Sequence, residues 1–140
     1  MSRISCFHEG RTLKRRTAAL LSGGFLALGL FGAASAGPLK DGWAAYHRGD
    51  YATAMSYWLP LAAQGDYVAQ YALGSMYALG QGVPQDDALA YLWLNLAASR
   101  ATDASIRDQA AKSRDRVAGR MTSEQIADAQ RMARDWGPTR

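Results

Sequence analysis

The side chains that could do chemistry are few and widely spaced. His47 and Asp50 stand at i and i+3, which would place an imidazole and a carboxylate on one helix face as two metal ligands. No third ligand accompanies them, so His47 reads as a helix-surface residue. Asp86-Asp87 offers the carboxylate pair that general acid–base work or a bound cation would use. Standing just before an apolar run, the pair reads instead as a helix N-cap. Gly80-x-Gly82 lacks the Lys and Ser/Thr of a phosphate loop and reads as a turn. Ser75 follows a glycine but lacks the Gly-x-Ser-x-Gly frame of a nucleophile elbow. Past residue 36 the chain holds one histidine, His47, and one glutamate, Glu124. No catalytic constellation assembles. The expectation is a non-enzyme without metal or cofactor.

Trp43, Trp58, Trp93 and Trp136 fall at helical core spacing and read as packing residues. The elements that must hold them repeat. A shift of 35 places Trp58 on Trp93, Leu59 on Leu94, Leu61 on Leu96 and Ala62-Ala63 on Ala97-Ala98. A shift of 31 places Tyr46 on Tyr77 and Gly49 on Gly80, the four-residue difference falling in the longer turn Gly80-Gln81-Gly82-Val83-Pro84. Two helix-turn-helix units with a period in the mid-thirties predict an α-solenoid.

Asp66 is placed to cap a helix through Leu79, ended by Gly80 and Gly82. Gly74 inside that helix costs about 1 kcal/mol against alanine, so a close helix–helix approach is expected there. Asp86 or Asp87 caps the next helix. From Ala88 to Ala98 it carries one polar residue in eleven. A helix apolar on every face must be covered on every face, with Trp93 as its expected central buried residue. The cover comes from the C-terminal segment. Ile106, Ala110, Val117 and Met121 share one face, Gly119 marking a break before the last of them. Thr122-Ser123-Glu124-Gln125 is a capping box, with Met121 and Ile126 as its hydrophobic staple. Ile126, Ala129, Ala133 and Trp136 line a final helix ended by Gly137-Pro138. The predicted fold is all-α, a short α-solenoid closed by C-terminal capping helices.

The N-terminus belongs to a different function. Arg11, Lys14, Arg15 and Arg16 precede an apolar run from Ala18 to Phe31 that ends in Ala34-Ser35-Ala36. A basic region, a short apolar region and a small-residue site describe a secretory signal peptide over 1–36, cleaved between Ala36 and Gly37. The alternative is an uncleaved membrane anchor, because the twenty residues Thr17 to Ala36 could just span a bilayer. Thr-Ala-Ala-Leu after Arg15-Arg16 departs from the twin-arginine motif, so general secretion to the periplasm or exterior of a Gram-negative-type envelope is expected.

The leader also carries the charge. Of sixteen basic and twelve acidic residues, five and one lie before Gly37, leaving eleven of each and a formal charge of zero. The basic pI is therefore no sign of nucleic-acid binding. Cys6, the single cysteine, leaves with the leader. The 104 residues from Gly37 suit one small domain. Its charge is uneven: Gly37–Ser99 is net −3 and Arg100–Arg140 net +3, which reads as two solvated faces of opposite bias.

Gly65-Asp66, Ala69-Gln70, Leu73-Gly74, Met76-Tyr77, Gly80-x-Gly82-Val83, Asp86, Ala88, Trp93 and Ala97-Ala98 together resemble one Sel-one-like repeat, a branch of the tetratricopeptide superfamily. Trp58 to Asp66 looks like the second helix of a degenerate repeat. Pro60 there is either a tolerated kink or the first residue of a shorter helix. The resemblance implies a degenerate repeat over 40–64, a full repeat over 65–100 and capping helices over 102–136. It implies an adaptor or scaffold that binds a protein or peptide on a concave surface; the chain is expected to be a monomer. The superfamily's groove positions fall on Val68, Tyr71, Ser75 and Ala78, and the 31-residue offset adds Lys40, Ala44 and His47. The competing reading has these residues packed under the C-terminal helices. Exported relatives linked to cell-wall-like ligands are cysteine-rich, and this sequence lacks those cysteines.

Overall fold

The computed structural model describes residues 36–137. The segment expected to be a signal peptide, up to residue 35, and the last three residues lie outside them. The described residues form six α-helices and no strand: α1 (Ala36–His47), α2 (Tyr51–Ala63), α3 (Tyr67–Leu79), α4 (Asp87–Arg100), α5 (Ala104–Ala118) and α6 (Ser123–Asp135). Consecutive helices from α1 to α5 pack as antiparallel neighbours, α6 returns onto α4, and α3 also touches α5.

Side-chain caps start the helices. Asp50 accepts from Thr53 N at 3.2 Å, Asp66 from Val68 N and Ala69 N at 2.9 Å, Asp86 from Leu89 N at 2.9 Å and Asp103 from Ile106 N at 3.0 Å. Each carboxylate satisfies amide hydrogens that the first helical turn leaves unpaired. Thr122 and Gln125 form the expected capping box, at 3.2 and 2.8 Å. Gly80 ends α3 at φ +65°, a left-handed conformation that a Cβ disfavours. Of the two adjacent aspartates, Asp86 is the cap; Asp87 does something else, described below. Pro60 lies inside α2 rather than at its start, exposed near the C-terminal end, where its missing N–H removes one helical bond.

The core is built largely from alanine, which lets helices approach closely. One cluster joins α1, α2 and α3 through Ala45, Ala54, Trp58, Leu61, Ala62, Ala69, Ala72, Leu73 and Met76. A second joins α4, α5 and α6 through Ala90, Tyr91, Leu94, Val117 and Ala129. Met121 and Ile126, the expected staple, both pack on the second cluster. Gln70 is fully buried in α3, donating through Nε2 to Ala62 O at 3.1 Å, while its Oε1 has no hydrogen-bond partner.

Two expectations need correction. Trp93 is only partly buried; the fully enclosed indole is Trp58, and the fully buried residue beside Trp93 in α4 is Leu94. A large aromatic in a helix covered by three neighbours need not point into the densest packing, and Trp93 packs at the margin of the first core cluster, against α1–α3. There it meets Trp136 edge-on at 5.7 Å, and Arg100 lies 4.8 Å over the Trp136 ring. Trp136 itself is the C-cap after α6 rather than a residue of its last turn.

Candidate functional site

Helix α3 presents Tyr71, Ser75 and Leu79 at i, i+4 and i+8, a single line along its surface. Two hollows flank that line, and all three residues line both. On one side, Trp43 and Tyr46 of α1 face α3 across a hollow of about 240 Å³ floored by Trp58 and Ala72. On the other, Ser113, Arg116, Val117 and Arg120 face Ala78 across about 170 Å³. The result is a groove centred on α3, aromatic toward α1 and basic toward α5.

The aromatic wall is held from behind. Trp43 stands edge-on to Trp58 at 4.8 Å, and Tyr46 contacts both Trp43 and Trp58, at 5.7 and 5.8 Å. Offset and edge contacts of this kind are favourable beyond their area alone. The Trp58 indole fits because Gly42 leaves room for it: a Cβ at that position would collide with the ring. Trp58 Nε1 donates to Leu39 O at 3.4 Å and Tyr46 OH donates to Gln81 Oε1 at 2.7 Å, tying α1 to α2 and to the turn after α3.

The basic wall is fixed by Arg120. Its guanidinium grips Asp87 through Nε at 3.1 Å and Nη2 at 2.5 Å, and donates from Nη2 to Ala78 O at 3.3 Å. One side chain thus joins the end of α3, the start of α4 and the turn after α5. The Arg120 guanidinium holds the Asp87 carboxyl below its ordinary value by hydrogen bonding and charge, against a smaller opposing effect of burial. Asp87 raises Arg120 in return.

The residues expected on the concave face separate into two groups. Tyr71, Ser75 and Ala78 line the groove. Lys40, Ala44 and His47 lie exposed on α1 and Val68 is partly buried on α3; none of these four lines either hollow. His47 stands beside the aromatic wall, 6.1 Å from Trp43 and 5.9 Å from Tyr46 between ring centres. Packing under the C-terminal helices is also part of the picture, since Tyr71 and Ala78 rest on the second core cluster. Tyr71 OH donates to Gln109 Oε1 at 3.5 Å, and Ser75 Oγ donates to Tyr71 O at 2.9 Å. Sequence reasoning missed Trp43, Tyr46, Leu79, Arg116 and Arg120. The first had been assigned to the core with the other tryptophans. Leu79, 66% exposed, was the one available signal: a large aliphatic residue left open just before a helix-ending glycine.

Among the described residues no group of three or more His, Cys, Asp or Glu side chains could hold a metal ion, and no helix is long and apolar enough to cross a membrane. The arrangement offers contact area, one hydroxyl line and cations, and so can bind.

Helical hairpins stacked in chain order and closed by two further helices define a short all-α solenoid. The family model of the Sel1 repeat matches residues 68–101, which take in nearly all of α3, its turn and all of α4, so this hairpin is similar to a Sel1 repeat. No curated protein and no solved structure matches the chain. Sel1 repeats generally mediate protein–protein interaction and form a non-catalytic fold.

Proposed function

We propose that this chain is an exported, monomeric, non-catalytic adaptor that holds an extended segment of a protein partner along α3. The observation that carries the reading is the shared line of Tyr71, Ser75 and Leu79, which makes one groove of two hollows. An aromatic wall with fixed rings supplies large contact area at small entropic cost, as peptide-binding surfaces require. The neutral formal charge past Ala36 fits recognition by a few anchors rather than by bulk attraction.

Export rests on the basic, apolar, Ala-Ser-Ala series, with cleavage after Ala36. N-terminal sequencing of the envelope form should then begin at Gly37. A start at Met1 would favour the membrane-tethered form of the same adaptor.

Binding is tested by placing a photoreactive phenylalanine at Ser75 and, as a control, at Tyr57, which is exposed on α2 outside both hollows. Irradiation in cells should join a protein to the chain from position 75 and not from position 57. Equal crosslinking from both positions, or from neither, rejects the groove.

A further inference from the structure

We infer that the segment held in this groove is acidic, an apolar or aromatic side chain entering the hollow between α1 and α3 and a carboxylate pairing with Arg116. The inference rests on the peptide-capture reading and adds the chemistry of its occupant. The residues lining the two hollows include two cations, Arg116 and Arg120, and no carboxylate. Arg120 is already engaged by Asp87 and Ala78 O. Arg116 is exposed and, among the described residues, makes no ion pair; the neighbouring Asp115 is taken by Arg114 at 2.8 Å. Position 116 therefore presents a guanidinium fork beside the Ser113 hydroxyl, on a helix anchored into the core by Val117. A fork of this kind matches the two oxygens of a carboxylate.

The other hollow selects against a purely ionic ligand. Its walls are rings, and Leu79 continues the apolar surface toward Arg116. A nucleic-acid backbone would call for several free cations along its path, whereas the groove offers one free cation beside an aromatic hollow among the described residues. Complementary charge at the edge of an apolar contact fixes which partner binds and in which register.

The test is selection of random displayed peptides against the full chain, followed by fluorescence anisotropy with one enriched peptide. Enriched sequences should pair Asp or Glu with an aromatic or large aliphatic residue. Arg116→Glu and Arg116→Ala should each weaken the acidic peptide by about tenfold or more, equivalent to about 1.4 kcal/mol. The amide-substituted version of that peptide should bind wild type and Arg116→Ala alike. Reselection against Arg116→Glu should enrich Lys or Arg. Acidic peptides indifferent to both Arg116 variants, or enriched peptides without acidic residues, overturn the inference and leave the groove reading standing. Affinity that follows total peptide charge and ignores the apolar residue overturns it too. Failure to enrich any peptide that competes at Ser75 overturns both.

Discussion

Gly74 of α3 lies so close to Leu94 of α4 that a Cβ on the glycine would stand 2.6 Å from Leu94 Cγ and 3.0 Å from Leu94 N. Part of that obstruction is backbone, which cannot swing aside. Gly74→Ala should therefore destabilise the fold, although alanine gains about 1 kcal/mol in helix propensity. Overpacking typically costs about 1–3 kcal/mol, and separating the two central helices places the result at the upper end. Denaturant unfolding should show a lower midpoint, and the losses from Gly74→Ala and Leu94→Ala should be less than additive in the double variant, because the smaller side chain makes room for the added methyl. A midpoint raised by Gly74→Ala would mean the two helices stand further apart.

Trp58 and Trp93 occupy equivalent positions in the two hairpins but not equivalent environments. Trp58 is fully buried, whereas Trp93 is partly buried, packed on the margin of the first cluster and edge-on to Trp136. Trp58→Ala should cost about 3–5 kcal/mol, the range for a large buried aromatic, and Trp93→Ala distinctly less. Equal melting curves for the two variants would contradict this ordering.

Gln70 gives a counterintuitive expectation. Its Oε1 is buried without a partner, and the carbonyl that its Nε2 serves, Ala62 O, also accepts from Gly65 N at 3.0 Å. Gln70→Met removes an unsatisfied acceptor and leaves Ala62 O paired, so it should be neutral or stabilising in a thermal melt. Gln70→Glu should be destabilising, more so at neutral pH than in acid, because a lone buried carboxylate must be desolvated or protonated.

Asp87 should make stability depend on pH. Its folded value lies below the ordinary 3.8 because Arg120 favours the charged form. Such a group contributes stability that is fully present above 3.8 and is lost as pH falls through the lower folded value. Asp87→Asn should thus lower stability at neutral pH, by up to about 1 kcal/mol for a partly exposed pair, and the difference from wild type should vanish in strong acid. Urea titrations at both pH values check this. A gap that persists in acid would show that Asp87 acts through something other than its charge.

What could be read from the sequence was local or periodic. Asp66, the Asp86-Asp87 pair and the Thr122–Gln125 box mark helix starts within the first turn, where capping depends on residues a few positions apart. The apolar character of Ala88–Ala98, interrupted only by Asn95, required a helix covered on all sides, and α3, α5 and α6 cover α4. Gly74 announced a close approach by its cost. The groove was less legible because its walls come from distant segments. Nothing near Arg120 in sequence indicates that its guanidinium reaches Asp87, 33 residues away. Trp43 has the spacing of a core residue, and only the placement of α1 across α2 decides that one side of its ring stays open. Lys40, Ala44 and His47 were placed by the 31-residue offset, which allows for the shorter first turn, but an offset carries residue register only and not how α1 is rotated against α3.

The covering of α4 by α5 and α6 limits how much of the proposed partner segment this molecule could hold. A solenoid lengthens by offering its last repeat helix to another hairpin, and here the surface of α4 is already occupied by α5 and α6. On the proposed reading the groove is a ruler with a single division, registering one short stretch of chain and unable to count how many stretches follow. Firm attachment must then come from number rather than length. A partner that displays the same stretch repeatedly, or several copies of this domain held side by side, would gain grip by multivalency that no single groove provides.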